Sequence, residues 1–216
     1  MPVVPTYSQA YRWHILVLFF GVLLPLLIFG SLAAEVLEKE NFAFDGPVLQ
    51  YLHGHASAFF DALMLFFTRA GSAMVLAPFD VIFGLILLRK TKRLQAGFWI
   101  VAIGGAALLN LFAKHFYSRM RPDLWVGAVH ETTYSFPSGH AMHSMAVIAA
   151  LVLLSWRTQW RLTTIILGSL FVTMVGLSRV YFGVHFPSDI LAGWVASIAW
   201  VTGVHFIFLA YGKARS

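Results

Sequence analysis

The sequence predicts an all-α protein, an integral membrane bundle of six transmembrane helices with amphipathic helices in its first outer segment. Three observations predict it. Of 216 residues, 59% are hydrophobic and 11% charged, less than half the roughly 25% charged of an average soluble domain. Six long runs with little or no charge recur along the chain. Basic residues gather on alternate connections between those runs, the orientation bias of a multi-span protein. This composition excludes a disordered chain and an ordinary cytosolic enzyme. The absence of cysteine excludes disulfides, thiolate metal sites and cysteine nucleophiles, leaving nine histidines as the conspicuous reactive groups.

The first run covers residues 13–34. It exceeds the roughly 7–15 apolar residues of a signal-peptide core, and only Arg12 marks a basic leader, so a retained anchor is expected. The second run, 71–88, is interrupted only by Asp80. The others are 95–113, 141–156, 162–178 and 190–212. Each approaches the about 20 apolar residues that cross a bilayer as a helix, the second, fourth and fifth falling short. The short connections predict a single transmembrane domain over 1–216.

Charge sets the expected topology. Arg12, Arg89, Lys90, Lys92, Arg93, Arg157, Arg161, Lys213 and Arg215 fall on one side with no acid among them. The other side carries Glu35, Glu38, Glu40, Asp45, Asp61, Asp123, Glu131 and Asp189 beside six basic residues. The positive-inside rule then puts both termini in the cytoplasm, with 35–70, 114–140 and 179–189 facing outward. The basic excess is an orientation signal, and the bilayer rather than nucleic acid is the expected partner. In the first outer segment, Asp45-Gly46-Pro47 opens an apolar-striped stretch over 48–64. Pro47 suits a first helical position and Asp45 a cap before it, predicting one or two helices on or in the outer leaflet.

Three polar clusters sit at outer span ends: Lys114 to Arg121-Pro122, then Phe136-Pro137-Ser138-Gly139-His140, then Ser178-Arg179 with His185 to Asp189. Together they have the chemistry of a phosphate site. Lys114, Arg121 and Arg179 are three cations at one depth, and guanidinium groups bond phosphate oxygens bidentately. Pro137-Ser138-Gly139 starts a helix, offering free N–H groups to an anion. His185 and Asp189 lie four apart with Pro187 at the expected first helical position, so the carboxylate can hold one ring nitrogen and free the other for attack. His140 supplies a second, acidic imidazole. Taken singly, each cluster has an ordinary explanation: headgroup anchoring for the cations, a common helix start, a structural hydrogen bond. Taken together, a functional site is the better account.

Lys114 with six residues between it and Arg121-Pro122, the Pro137-Ser138-Gly139-His140 run, and Ser178-Arg179 with five residues between it and His185 and three more between His185 and Asp189 resemble the three-part signature of the type 2 phosphatidic acid phosphatase superfamily. No signature position departs. The resemblance extends to the Asp45 segment and to Thr68-Arg69-Ala70-Gly71-Ser72, and is greatest to small bacterial membrane members, the phosphatidylglycerophosphatases and undecaprenyl-diphosphate phosphatases. It implies His185 as nucleophile, Asp189 as its orienting carboxylate, and His140 as the acid that protonates the leaving oxygen and later activates water. It further implies phosphate binding by Lys114, Arg121, Ser138, Gly139 and Arg179, with no metal and no cofactor. The expected substrate is a lipid phosphate or diphosphate at the outer leaflet, undecaprenyl diphosphate favoured; phosphatidylglycerophosphate, phosphatidic acid and phosphotransfer are the alternatives. A metal site of His140, His185 and Asp189, or a non-enzymatic membrane scaffold, are the competing classes; the first places a dication beside three cations and the second leaves the polar cluster without purpose.

Four features stay outside that account. Asp80 is expected to pair with Asn110 or a backbone group, or to stay protonated. His143, three after His140, is expected to be a packed interfacial histidine. The Gly104-Gly105-Ala106-Ala107 run is expected to mark close helix packing, which permits dimers without requiring them. Tryptophans and tyrosines near span ends are expected as interface anchors.

Overall fold

Apolar runs become helices because a chain in hydrocarbon must satisfy its backbone polar groups internally. The structure, a computed structural model, describes residues 15–39, 42–122, 129 and 131–214. Among them eight helices and no strand form. They are α1 (Ile15–Leu37), containing a π-helical turn at Phe19–Leu23, α2 (Asp45–Gly54), α3 (Ala58–Ala70), α4 (Ala73–Arg89), α5 (Arg93–Tyr117), α6 (Gly139–Ser155), α7 (Arg161–Tyr181) and α8 (Pro187–Lys213). Residues 13–14 of the expected first span lie outside the described residues, as do Arg12, Glu40, Asp123 and Arg215 of the charge count.

Four helices, α1, α5, α7 and α8, are long and apolar enough to cross a membrane. The expected second span is divided differently: α4 has 17 residues and meets α3 across a bend of 42°, so that the pair together reaches spanning length. The expected fourth span, α6, is an apolar helix of 17 residues. At 1.5 Å per residue such a helix rises only about 25 Å, against a hydrocarbon core of about 30 Å.

Helices α6 and α8 pack along each other at the centre, with α5, α7 and α1 around them. Small residues permit this. A Cβ on Gly193 of α8 would stand 3.0 Å from the Ser138 carbonyl and 3.1 Å from the Met142 nitrogen, so only glycine lets α8 lie against the start of α6. On α5, Gly105 lies beneath the Trp200 ring, whose Nε1–H donates to the Ala102 carbonyl at 3.0 Å. Gly105 therefore serves close packing as expected, while a Cβ on Gly104 would meet nothing. The core between α4, α5, α6 and α8 comprises Leu87, Phe98, Trp99, Met142, Val147 and Val201 with intervening alanines. The outer surface keeps Leu27, Phe66, Ile82, Phe112 and Ile166 exposed, the all-round apolarity of helices that face lipid.

The segment between α1 and α4 holds two helices, α2 and α3, within the one or two expected there. Asp45 is not the cap it was expected to be. It is the first residue of α2, behind Phe44 at the N-cap, and its side chain points to the start of α8 instead. Pro47 is accordingly the third helical residue. Ser57 caps α3, its hydroxyl accepting the Phe60 N–H at 3.4 Å.

Candidate active site

The polar clusters meet at one end of the bundle, where α5 and α7 end and α6 and α8 begin. Gly183, with φ 66°, provides the left-handed residue that turns the chain after α7 and presents His185. Pro187 occupies the first turn of α8, as expected, and Asp189 the third helical position. From there its Oδ2 accepts the Phe186 N–H at 2.9 Å and stands 3.3 Å from His185 Nδ1. The Ser135 hydroxyl lies 3.3 Å from the same Nδ1 and donates to Asp189. A carboxylate beside Nδ1 keeps the proton there and leaves the lone pair on Nε2. That Nε2 faces the Arg121 guanidinium, 3.1 Å away. His185 is fully buried, which pushes its imidazole down to about 3 against the raising effect of Asp189, so the ring is neutral at physiological pH.

Arg121 is held in a fixed fork. Its Nε donates to the Thr133 carbonyl at 2.7 Å and Nη1 to the Val184 carbonyl at 2.6 Å. Burial lowers its guanidinium, opposed by Glu131 and Asp189. Lys114, in the last turn of α5, donates to the Tyr134 carbonyl. Arg179, in the last turn of α7, donates to Thr68 of α3 and to Glu131. Its Nε–H is buried and has no partner among the described residues, a donor without an acceptor. His140, at the start of α6, lies within the electrostatic influence of Arg179, His185 and Arg121.

Ser138 and Gly139 occupy the helix start that the sequence predicted, with Ser138 at the N-cap of α6. The Ser138 hydroxyl accepts the Ala141 N–H at 3.5 Å, and its own N–H donates to the Asp189 carbonyl at 3.1 Å. Ser138 thus ties α6 to α8, and what it can still offer an anion is its O–H. The N–H groups of Gly139 and His140 open the helix in its first turn, where backbone donors have no intrahelical acceptor. Gly139 is required where it is: a Cβ there would stand 3.1 Å from Asn110 Oδ1.

Several participants were missed in the sequence. Arg119, which the sequence signature leaves without a role, bridges two buried carboxylates. Its Nη1 donates to Asp189 Oδ1 at 2.7 Å and to Ser188 Oγ at 2.8 Å, and Nη2 to Asp45 Oδ2 at 3.0 Å. Its guanidinium also lies 4.2 Å over the Phe186 ring. Asp45 in turn accepts the Ser188 N–H at 2.9 Å and hydroxyl at 2.6 Å. Glu131, counted only as an outer-side acid, reaches into the cations, bonding Arg179 and standing 3.8 Å from Arg121. The one sequence signal for these was the excess of acids on the outer segments, which says that cations there have partners without saying which. The metal alternative finds no ligand set, since among the described residues no three His, Asp or Glu side chains converge as metal ligands.

Residues 95–213, which hold all of this except α2, α3 and the Asp45 contacts, match the PAP2 superfamily. The chain belongs to the PAP2 superfamily. It is a membrane lipid phosphatase, and its relatives say the same. An undecaprenyl-diphosphatase of Sulfolobus acidocaldarius is 26% identical over 197 residues, 89% of this chain and 88% of that protein. Phosphatidylglycerophosphatase B of Bacillus subtilis is 33% identical over 131 residues, 58% of this chain and 64% of that protein. Among solved structures, a transmembrane PAP2-type phosphatidylglycerolphosphate phosphatase from Bacillus subtilis superposes with a TM-score of 0.77 at 25% identity, covering 91% of this chain and 98% of that one. The PAP2 assignment also agrees with the all-helical, multi-span architecture described above.

Proposed function

We propose that this PAP2 phosphatase hydrolyses an isoprenoid diphosphate, with undecaprenyl diphosphate the favoured substrate, through a phosphohistidine at His185. The observation that carries the reading is the setting of His185: Nδ1 held by Asp189, Nε2 directed at Arg121, and the ring kept neutral by burial. In the first half-reaction the Nε2 lone pair attacks phosphorus, the bond to the leaving oxygen breaks, and His140 gives that oxygen a proton. Lys114, Arg121, Arg179 and the Gly139 and Ser138 donors hold the phosphoryl oxygens, where fixed charge stabilises the transition state. In the second half-reaction water attacks the phosphohistidine, gives its proton to His140, and the N–P bond electrons return to Nε2. No step calls for a metal ion or cofactor.

The isoprenoid choice is supported by the near full-length relation to the undecaprenyl-diphosphatase. Phosphatidylglycerophosphate is the second reading, favoured by the superposition on the Bacillus subtilis structure. We read the molecule as one domain over 1–216 with six spans, α4 and α6 being the short ones, in a bacterial cytoplasmic membrane. Both termini are cytoplasmic and the site opens outward, because the basic residues at 89–93 and 157–161 sit on the opposite side from the site's carboxylates. The test is phosphate release from undecaprenyl diphosphate, phosphatidylglycerophosphate and phosphatidic acid in excess chelator. The reading predicts turnover of all three with the highest kcat/KM for undecaprenyl diphosphate. A higher value for either glycerolipid overturns the substrate assignment, and loss of turnover restored by zinc or magnesium overturns the metal-free mechanism.

A further inference from the structure

A second histidine–carboxylate pair lies deeper in the bundle, outside the reaction scheme above. Asp80, within α4, places Oδ2 2.6 Å from Nε2 of His143 on α6. The expected pairing with Asn110 does not occur: the Asn110 amide donates to the Pro137 carbonyl at 3.0 Å and to Met142 sulfur. His143 is accordingly more than a packed interfacial ring. An ionisable group inside a span is costly to keep and calls for a partner and a purpose. Among the described residues His143 is the one side chain bonded to the Asp80 carboxylate, whose Oδ1 is buried without a partner.

His143 is three residues beyond His140, on the same face of α6. Both line a cavity of about 230 Å³, with Gly71 and Ala73 of the α3–α4 junction, Asn110 of α5 and Met142 of α6 among its other walls. That volume has room for several waters at roughly 30 Å³ each. Asn110, its amide hydrogens directed to Pro137 and Met142, turns Oδ1 toward Gly139 at the cavity edge as an acceptor. His140 also feels the charges of Arg179 from α7 and of Arg121 and His185 from the connecting segments, while the Lys114 chain on α5 approaches Gly139. Positive charge at His140 is therefore opposed by the charges of Arg179 and Arg121, whereas His143 has a carboxylate 2.6 Å from its Nε2.

We infer that Asp80 and His143 form a proton store for His140, connected to it through water in the shared cavity. This rests on His140 acting as the general acid. The store is the Asp80–His143 pair, whose Oδ2 and Nε2 stand 2.6 Å apart and can hold a proton between them, and His140 exchanges protons with it. As the leaving oxygen departs, one ring nitrogen of His140 gives up its hydrogen to that oxygen. The other takes a hydrogen from a cavity water, which takes one from His143 Nδ1. When water attacks the phosphohistidine, each transfer reverses and the proton returns to His143. His140 thus passes protons in both half-reactions without holding a net charge among the cations. Neither Asp80 nor His143 touches substrate; both act through His140.

The experiment compares His143→Gln, Asp80→Asn and His140→Ala on phosphatidic acid, a poor leaving group, and on an aryl phosphate, a good one. His143→Gln keeps an amide against Asp80 and deletes only the imidazole, so a folding failure of Asp80→Asn leaves the test standing. The store predicts kcat on phosphatidic acid reduced about tenfold or more in His143→Gln, with KM and the aryl phosphate rate within about twofold of the parent. It also predicts that the alkaline limb of kcat on phosphatidic acid moves to lower pH, because His140 must then carry the proton itself beside Arg121 and Arg179. Equal losses on both substrates with an unmoved pH profile identify a structural clamp between α4 and α6 and overturn the inference. If His140→Ala discriminates between the substrates and His143→Gln does not, the store alone fails; if His140→Ala does not discriminate, the general-acid reading fails with it.

Discussion

Arg119 gives the account a quantitative test. Its guanidinium is the shared partner of Asp45 and Asp189, which are 2% and 0% exposed. Replacing it with methionine keeps an apolar chain over the Phe186 ring but leaves both carboxylates without their counter-charge. Breaking a buried pair by removing one partner costs about 3–5 kcal/mol. Here Asp189 keeps the Phe186 N–H, the Ser135 hydroxyl and His185, and Asp45 keeps two bonds from Ser188, so the lower end applies. About 3 kcal/mol corresponds to about a hundredfold in the folding equilibrium. Adding Asp45→Asn to Arg119→Met removes one uncompensated charge while keeping an oxygen for Ser188, and a coupling of about 1–2 kcal/mol is expected. Denaturation of the four proteins of this cycle in one detergent reads both numbers. Arg119→Met unfolding at the parental midpoint, or strict additivity in the double variant, would refute the claim that Arg119 neutralises the pair.

Two further outcomes follow from the same geometry. Glu131 occupies Arg179 and approaches Arg121 while a quarter exposed, so Glu131→Gln should tighten vanadate inhibition by about two- to fivefold, the value of a partly solvated ion pair; weaker inhibition would mean that Glu131 positions Arg179 instead. His185 is unprotonated down to about pH 3, so phosphoenzyme formation from an aryl phosphate should show no acid inflection near the ordinary histidine value of about 6.5. A single-proton loss of the burst rate at that pH would show a solvated, titrating nucleophile.

Features whose partners are close in sequence were legible before the fold. The His185–Asp189 contact follows from a proline at the helix start and a four-residue spacing, and the helix starts at Ser138 and Pro187 follow from capping chemistry. Long-range pairs were not legible. Arg119 is 74 residues from Asp45 and 70 from Asp189, and by sequence it is one of several basic residues at a span end. Asp45 before Gly-Pro reads as a cap by local rules, and the approach of α8 outbids that local use. Asp80 and His143 are 63 residues apart, and nothing local distinguishes this partner from Asn110. The spans differ for a related reason: hydropathy locates apolar runs, while the bend at Gly71, where a Cβ would stand 2.5 Å from Val175, is set by packing of the α3–α4 junction on α7.

The central claim is that His185 carries the phosphoryl group, and acid-free trapping of the enzyme during turnover measures it. Purified protein mixed with a phosphate-labelled aryl phosphate is quenched in base, where a phosphoramidate survives, and the modified peptide is located by mass spectrometry. The account predicts label on His185, stable in base and lost in acid, absent in His185→Ala, and accumulating in His140→Ala because the attacking water has lost its base. Label on another residue, or full turnover by His185→Ala, would contradict it.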